Sequence, residues 1–428
     1  MKIVIGESTY TKIKNISFVP ETDITGLQLP INQLSVDIIT RESIVSPGKM
    51  VKLYDDNDNL WCNYWITFAE RMDVETFRVE ASSRLIRLDR KKLGAHMYSG
   101  DSAAGVISSI FSGSGAGAYT LDSSFSNKTI TGFCPEQTAR ERLQWVCFCI
   151  GAYVKDFFSD KIQILPIPQQ SKSIPAEKTY WKPSTTYGDY VTGVKAIAYT
   201  YTQGTPQTTD KWVQVGNTTY IQTEQEFTLS NPDVPVTAEE NIVTVDGLTL
   251  ITPSNVDDIL SHLSTYYFKR IEVDSDIINN AEYYPGDRVA TYTGLETLID
   301  GYIKSADFSF GAQSKSKLKI MQMDTIDGAK LIVKYMYDGK QIGKRTYYFP
   351  VGYQYEIENP YKDITKNKRR RVYRPLNDSI SGTMPNETTT VTQQYHIALE
   401  FHKKVLKVLS VDSVEMQTIG DYNVVVIR

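Results

Sequence analysis

The chain has 428 residues, a formal net charge of -4 and a hydrophobic content of 41%. No run of eighteen apolar residues occurs, which excludes a bilayer-spanning helix, and the first residues lack the apolar core of a secretory signal. Four cysteines are too few for a disulfide framework in a chain of this length, so we expect buried, reduced thiols. The length predicts two to four domains.

Charge divides the chain unevenly. Residues 329–428 carry 16 Lys and Arg against 10 Asp and Glu, whereas residues 1–328 carry 30 against 40. The excess of acidic residues in 1–328 argues against a nucleic-acid-binding protein, because neutralising phosphates requires clustered Lys and Arg. Cys147 and Cys149 have no nearby His to complete a zinc site, so we expect neither a metal nor a cofactor.

Alternating apolar residues predict a mainly β protein. The chain contains 28 Tyr, and period-two alternation is typical of half-buried strands. Three segments show it, namely Leu34-Val36-Ile38, Phe77-Val79-Ala81 and Ile197-Tyr199-Tyr201.

Three helices are predicted within this β background. Thr138 and Glu141 have capping-box spacing, and the helix they begin should stop at Gly151. A second helix should begin near Asp101. A third should begin at Ser254 and run to about Ile271. The buried residues expected on the last two are Ala103, Val106, Ile107 and Ile110, and Val256, Leu260, Leu263 and Tyr267.

Two segments are predicted to connect these elements. The Gly/Ser/Ala-rich stretch 111–127 should be a flexible loop, because its glycines disfavour regular structure. A nucleotide-binding role is disfavoured, since no strand precedes the glycines and no phosphate-binding Lys follows them. Pro166, Pro168 and Pro175 bracket an exposed linker.

An internal duplication is the most informative feature. Residues 47–70 and 285–307 align with one gap, and each copy reads as a Pro-Gly turn, a strand, a polar turn and an aromatic-rich returning strand. The generic composition of β-hairpins leaves coincidence open. The alternative is two related β-barrels per chain, of which a trimer would present six around one axis. The matched pairs are Gly48/Gly286, Val51/Val289, Tyr54/Tyr292, Ile66/Ile303, Ala69/Ala306 and Glu70/Asp307.

With these segments in order, followed by CPEQTARERLQWVCFCIGAYVKDFFSDKIQILP, residues 1–325 resemble the baseplate hub proteins of phage tails. These include late-control-protein-D-like hubs and the N-terminal hub part of siphophage tail-associated proteins. The resemblance implies a fold that is mainly β with an α+β insertion. The implied domains are a first tube-like β-barrel (1–93), the inserted α+β domain (94–168), a second tube-like β-barrel (175–325, with a helix at 254–271) and a small basic C-terminal β or α+β domain (329–428).

The resemblance also implies partners and a location. The chain would be a homotrimer between the sixfold tail tube and the threefold spike or tip. Its neighbours would be the tail tube protein or tube initiator, the spike or tip protein, the tape measure protein and the baseplate wedge proteins. Assembly is expected in the bacterial host cytoplasm, and the final location is the virion tail or a tail-like particle such as a contractile injection system or tailocin.

The C-terminal hundred residues show alternation at Leu331-Val333-Tyr335, at Tyr347 and Phe349, and a last strand at 424–427. A basic run there is either a solvated loop between strands or a site that docks onto an acidic neighbour. Its members, our candidate partner-binding residues, are Lys366, Lys368, Arg369, Arg370, Arg371 and Arg374.

Catalysis is not expected. The Ser-x-x-Lys spacing of Ser314 and Lys317 lacks the companion motifs of a hydrolase. Two alternatives to a hub remain open: a β-rich cell-wall or glycan-binding tail-tip protein, in which Tyr and Trp supply stacking surfaces, and a hub-linked peptidoglycan hydrolase with carboxylates that sequence cannot place.

Overall fold

The computed structural model describes residues 1–42, 47–174, 178–179, 183–269, 271–278, 282–292, 298–309, 315–366, 369–402, 405–408, 414–419 and 422–427. It divides into two compact units. The first contains residues 1–172, 178–289 and 299–325, and the second contains 173–177, 290–298 and 326–428. The fold is mainly β, as predicted, and includes curled half-barrel sheets. Among the described residues, no helix is long and apolar enough to cross a membrane.

The first repeat is one antiparallel sheet. Its strands are β1 (Lys2–Ile5), β2 (Ser8–Tyr10), β3 (Ile13–Phe18), β4 (Gln33–Ile39), β5 (Met50–Tyr54), β6 (Leu60–Arg71) and β7 (Thr76–Ser82). They are ordered β2-β1-β5-β6-β7-β4-β3. The predicted alternation on β4 and β7 is confirmed, because Leu34, Val36 and Ile38, and likewise Phe77, Val79 and Ala81, are buried.

An α+β insertion follows β7. It begins with a 3₁₀ helix (Arg84–Arg90) and includes a second one (Ser123–Phe125). Its other elements are β8 (Lys92–Leu93), β9 (His96–Ser102), α1 (Ala103–Phe111), β10 (Tyr119–Leu121), β11 (Thr129–Cys134), β12 (Gln137–Thr138), α2 (Ala139–Ile150), β13 (Ala152–Lys155) and β14 (Ile162–Pro166). Strands β10, β14 and β13 form one sheet, and β11 pairs with β9 and β12 with β8. Its core joins the buried faces of α1 and α2 to Ile162 and Ile164.

Both helices of the insertion are confirmed. Thr138 caps α2 with the reciprocal Glu141 hydrogen bonds of a capping box, and α2 ends at Gly151. The four residues predicted on the buried side of α1 are buried. The loop predicted over 111–127 is wrong in part, because Tyr119–Leu121 is a strand paired in parallel with Ile162–Ile164. That partner lies 43 residues further along the chain, beyond the reach of local propensity.

The second repeat repeats the topology of the first. Its strands are β15 (Lys172–Ile174), β16 (Ser184–Tyr187), β21 (Ile271–Ile278), β22 (Arg288–Tyr292), β23 (Leu298–Ser309) and β24 (Lys315–Ile326). They are ordered β15-β22-β23-β24-β21-β16, which is the order of β1, β5, β6, β7, β4 and β3 in the first repeat. Six strands taken in the same chain order therefore occupy the same sheet positions.

A second insertion separates β16 from β21. It contains β17 (Gly193–Gln203), β18 (Lys211–Val215), β19 (Thr218–Ser230), β20 (Ile242–Val245) and α3 (Val256–Tyr267). The four strands are ordered β18-β19-β17-β20. Two predictions here need correction. Helix α3 ends at Tyr267, because Ile271 already begins β21, and its N-cap is Asn255.

The second correction concerns β17. The row that joins the core containing α3 is Val194, Ala196 and Ala198, whereas of the predicted row Tyr199 is buried and Ile197 and Tyr201 are only half-buried. On α3 itself Tyr266 is buried, and the predicted Tyr267 is half-buried. Small side chains face the helix because they let it pack closely on the sheet.

The C-terminal unit contains only strands among its described residues. They are β25 (Gly328–Tyr337), β26 (Lys340–Pro350), β27 (Gln354–Glu358), β28 (Lys362–Lys366), β29 (Arg369–Pro375), β30 (Ser379–Thr383), β31 (Thr389–His402), β32 (Val405–Val408), β33 (Val414–Ile419) and β34 (Tyr422–Ile427). The main sheet is ordered β26-β25-β31-β29-β28, with β32 on β31. The predicted inward residues Leu331, Val333, Tyr335, Tyr347 and Phe349 form its core.

Candidate assembly interface

The two Pro-Gly turns have the same geometry. Gly48 and Gly286 both have a backbone φ of 95°. The Gly48 amide donates to the Ile66 carbonyl at 2.9 Å, and the Gly286 amide donates to the Ile303 carbonyl at 2.9 Å. These are the residue pairs that the sequence alignment matched, so the predicted duplication is confirmed at the level of individual hydrogen bonds.

The repeats are joined inside the chain at what we call the junction, defined by Pro20–Thr22 and Lys304–Ala306. The Thr22 amide donates to the Lys304 carbonyl at 3.0 Å, and the Ala306 amide donates to the Pro20 carbonyl at 3.1 Å. Glu21 lies opposite Ser305 in an antiparallel bridge. The loop that leaves β3 in the first repeat thereby extends the pairing of β23 in the second.

The β3–β4 loop (19–32) is held in place by buried polar groups. Asn32 accepts from the Glu21 amide at 2.7 Å and donates to the Glu21 carbonyl at 3.1 Å, which closes the loop at its base. The Thr22 hydroxyl donates to the Val154 carbonyl at 2.9 Å. His262 on α3 contacts the Ile24 carbonyl at 3.1 Å, and burial lowers the pKa of its ring. Both insertions thus support the junction.

An aromatic cluster packs beside the junction. The Phe18 and Phe308 rings of the two repeats stack with centroids 6.3 Å apart, and Trp61 meets Phe308 edge-on at 4.7 Å. Phe158 of the insertion lies 4.8 Å from Trp61, and its amide donates to the Trp61 carbonyl at 2.7 Å. Aromatic pairs add stabilisation beyond the area they bury, so this cluster fixes the two repeats against the first insertion.

A buried ionic group lies at the second Pro-Gly turn. Lys172 contacts the Asp287 carboxylate at 2.8 Å, and the Lys155 ammonium lies 3.6 Å from the centre of the Tyr284 ring. Burial lowers the pKa of Lys155 to about 8 and raises the pKa of the Asp287 carboxyl, an effect that the Lys172 hydrogen bond opposes. The first repeat has the exposed Lys49 where the second has Asp287, so this group belongs to one repeat only.

The candidate docking residues of the C-terminal unit lie on the β28–β29 hairpin. Arg370 pairs with Asp363 on the neighbouring strand, and Arg371 lies opposite Ile364 in the same ladder. The prediction that a solvated loop holds this run is wrong for Arg369–Arg374, which form β29. Lys368 and the side chains of Lys366 and Arg369 lie outside the described part of the structure. A docking role for these residues stays a prediction.

The other residues considered for catalysis or metal binding are Ser314, Lys317 and the four cysteines. Lys317 forms an ion pair with Asp274 at 3.6 Å on the neighbouring β21, and Ser314 lies outside the described residues. The exposed linker predicted up to Pro175 is wrong for Lys172–Ile174, which form β15 with Ser173 and Ile174 buried, and Pro175 itself lies outside the described residues, as does the Thr293-Gly294 turn. Cys62, Cys134 and Cys147 are buried free thiols, and Cys149 is half-buried. No group of three or more metal-ligating side chains occurs within the described ranges.

The junction residues could not be identified from the sequence pattern. Pro20, Glu21 and Thr22 lie in a stretch without alternation or helical period, and the junction joins them to residues more than 280 positions away. Their contacts are largely made by backbone groups, which every residue type carries.

Three solved structures share this fold. A tail protein from Neisseria meningitidis MC58 aligns with a TM-score of 0.56 at 8% identity, over 75% of this chain and 95% of that chain. The prophage tail protein gp18 from Listeria monocytogenes EGD-e aligns with a TM-score of 0.52 at 11% identity, over 76% and 95%. The 43 kDa tail protein of prophage MuSo2 from Shewanella oneidensis aligns with a TM-score of 0.51 at 8% identity, over 75% and 97%.

At these identities the likeness shows a common fold. No protein-family model matches the sequence, and no curated protein matches it.

Proposed function

We propose that this chain is a structural baseplate hub of a phage tail or phage-like injection particle, and that it works as a homotrimer. The observation that carries the proposal is the repeated six-strand topology, with matching turns at Gly48 and Gly286. A fold similar to those of three tail proteins, two of them described as prophage proteins, supports it.

Symmetry is the physical reason why a duplication suits a hub. A tube with sixfold symmetry and a spike with threefold symmetry cannot share identical contacts directly. A trimer whose subunits each carry two similar half-barrels offers six similar units to the tube and remains threefold towards the tip. In this arrangement the tail tube protein lies above the ring, and the spike or tip protein lies below it.

The acidic body of the chain suits the same role. Residues 1–328 have ten more acidic than basic residues, which disfavours adhesion of DNA that passes through a central channel. The basic C-terminal unit would then contact neighbouring baseplate proteins through Arg371, Arg374 and the rest of the β28–β29 hairpin.

Imaging of the assembled particle by electron microscopy tests the proposal. We expect three copies of the chain in one ring at the junction of tube and tip. Six copies, or one copy, would refute the hub assignment. The particle is a better sample than the purified chain, because a subunit that lacks its neighbours can remain monomeric.

An activity assay tests the non-enzymatic part of the proposal. Zymography on peptidoglycan with the purified chain should show no clearing, with lysozyme as the positive control. Clearing that survives further purification would favour the hydrolase alternative.

A further inference from the structure

Both repeats have a groove at the corresponding place on the sheet, but only the groove of the second repeat is covered by another part of the chain. In the second repeat, a cavity of about 460 Å³ lies on the sheet face, and the β3–β4 loop forms its other wall through Asp23 and Leu27. In the first repeat, a groove of about 580 Å³ lies at the matching place, and every residue that lines it belongs to the first repeat.

The correspondence of the two surfaces follows from strand register. Each of β4 and β21 has three alternate buried residues, and aligning them matches the pair Leu34–Ala81 to the pair Val273–Ile320. In this register the loop residues Ile24 and Val191, both buried, also correspond. The matched lining residues include Gln33 and Glu272, Thr67 and Lys304, and Ser82 and Met321.

The chain therefore carries a counterpart of each of the two segments that form the internal junction. Tyr187–Asp189, at the end of β16 and just beyond it, corresponds to Pro20–Thr22. Thr67–Ala69 corresponds to Lys304–Ala306. Pro20, Thr22 and Ala306 are buried in the internal junction, whereas their counterparts Tyr187, Asp189 and Ala69 are wholly or partly exposed.

Exposed aromatic side chains lie on both counterpart segments. Tyr187 is 72% exposed and Tyr190 47% exposed on one half, and Phe68 is 43% exposed on the other. Large exposed aromatic side chains are enriched in protein interfaces.

We propose that Tyr187–Tyr190 of one subunit pairs with Thr67–Ala69 of a second copy of this chain, repeating the internal junction between subunits. The occupant is a second copy because the two counterpart surfaces already bind each other within each subunit. The contact is heterologous, so three copies close it into a ring of six half-barrels. This inference rests on the proposed trimer and adds the strands that join its subunits.

Disulfide trapping in assembled particles tests the contact. Glu21 and Ser305 lie directly opposite each other in the internal junction and form a non-hydrogen-bonded antiparallel pair. The Cα atoms of such a pair are about 4.5 Å apart, which is within the range that a disulfide spans. Their counterparts are Gly188 and Phe68. We expect the variant that combines Gly188→Cys with Phe68→Cys to form covalent dimers and trimers on oxidation, seen on a non-reducing denaturing gel.

Three controls make the result specific. Glu21→Cys with Ser305→Cys should form a disulfide within one chain and thus verify the geometry of the template. Gly188→Cys alone should give no trimer. Val236→Cys, at a fully exposed position, should not form trimers with Phe68→Cys.

The outcomes separate this inference from the proposed function. If imaging shows a trimer and the internal pair forms its disulfide, but the Gly188–Phe68 pair does not, the contact is wrong and the hub stands. If imaging shows no trimer, the proposed function fails as well.

Substitution provides a second test, in case the cysteine variants do not assemble. Phe68→Glu should weaken trimer formation at least tenfold in sedimentation of the concentrated chain or in particle yield, with an unchanged melting temperature. Val74→Glu, which changes a residue that is 76% exposed in the β6–β7 turn of the same repeat, should leave assembly unchanged. Equal effects of the two substitutions would overturn the proposed contact.

Discussion

Gly48 and Gly286 provide a matched pair for measuring what the first insertion adds to one repeat. Both have a φ of 95°, a conformation in which a side chain is strained. A methyl group on Gly48 would enter open space, whereas one on Gly286 would lie 2.5 Å from the Tyr153 ring of β13. The two alanine substitutions therefore have the same free-energy cost of backbone strain, and only Gly286→Ala adds a steric clash.

The expected magnitudes follow from these two terms. The backbone cost of alanine at positive φ is about 1–2 kcal/mol, so Gly48→Ala should lower the free energy of unfolding by that amount. Overpacking against a buried ring adds about 1–3 kcal/mol, so Gly286→Ala should cost more than Gly48→Ala by that difference. Tyr153 is 5% exposed, which leaves the ring little room to move away.

Urea unfolding followed by tryptophan fluorescence measures both variants, and equal slopes against urea concentration would show that the same transition is compared. Tyr153→Val completes a double-mutant cycle: combined with Gly286→Ala, it should recover about 1–2 kcal/mol relative to the sum of the single effects. Equal losses for the two glycine variants, or additivity in the cycle, would refute the packing of the insertion on the second turn.

Three further predictions concern buried groups and one helix cap. Lys155 has a pKa lowered to about 8, so the unfolded chain holds more protons between pH 8 and 10.5 and this contribution to stability rises with pH. Lys155→Met should therefore be more stable than the parent chain near pH 7, by up to about 3 kcal/mol, and this advantage should shrink towards pH 10 in thermal melts. Burial raises the pKa of Cys134 to about 11 and of Cys147 to about 12, so neither thiol should react with Ellman's reagent at pH 8 until the chain is denatured; rapid labelling of either in the native chain would contradict their burial. Thr138→Ala removes the side chain that caps α2 and should cost about 1 kcal/mol in urea unfolding, and an unchanged stability would show that the capping box with Glu141 is dispensable.

Much of the fold could be predicted from the sequence because its signals are local. The capping box before α2 and the glycine after it are adjacent to the residues they act on. The alternation on β4, β7 and β25 was visible because one face of each strand meets a core. The two Pro-Gly turns could be aligned because the same backbone geometry selects the same residue types.

The predictions failed where a distant partner decides the local structure. Tyr119–Leu121 follows a glycine-rich stretch and becomes a strand because β14 is beside it. The basic run 369–374 becomes a strand because β28 and β31 pair with it on both sides. On β17, α3 covers the face that carries Val194, Ala196 and Ala198, and this row of smaller residues is less conspicuous in the sequence than the Ile and Tyr residues between them.

The sequence by itself determined that the chain is β-rich, carries two copies of a Pro-Gly-led segment and includes three helices, because turns, caps and alternating side chains act over a few residues. Only the tertiary structure decided that the two copies share one six-strand topology and meet at Pro20–Thr22 and Lys304–Ala306. The reason is that this junction is made by backbone amides and carbonyls, which every residue carries and which leave no mark in the side-chain pattern.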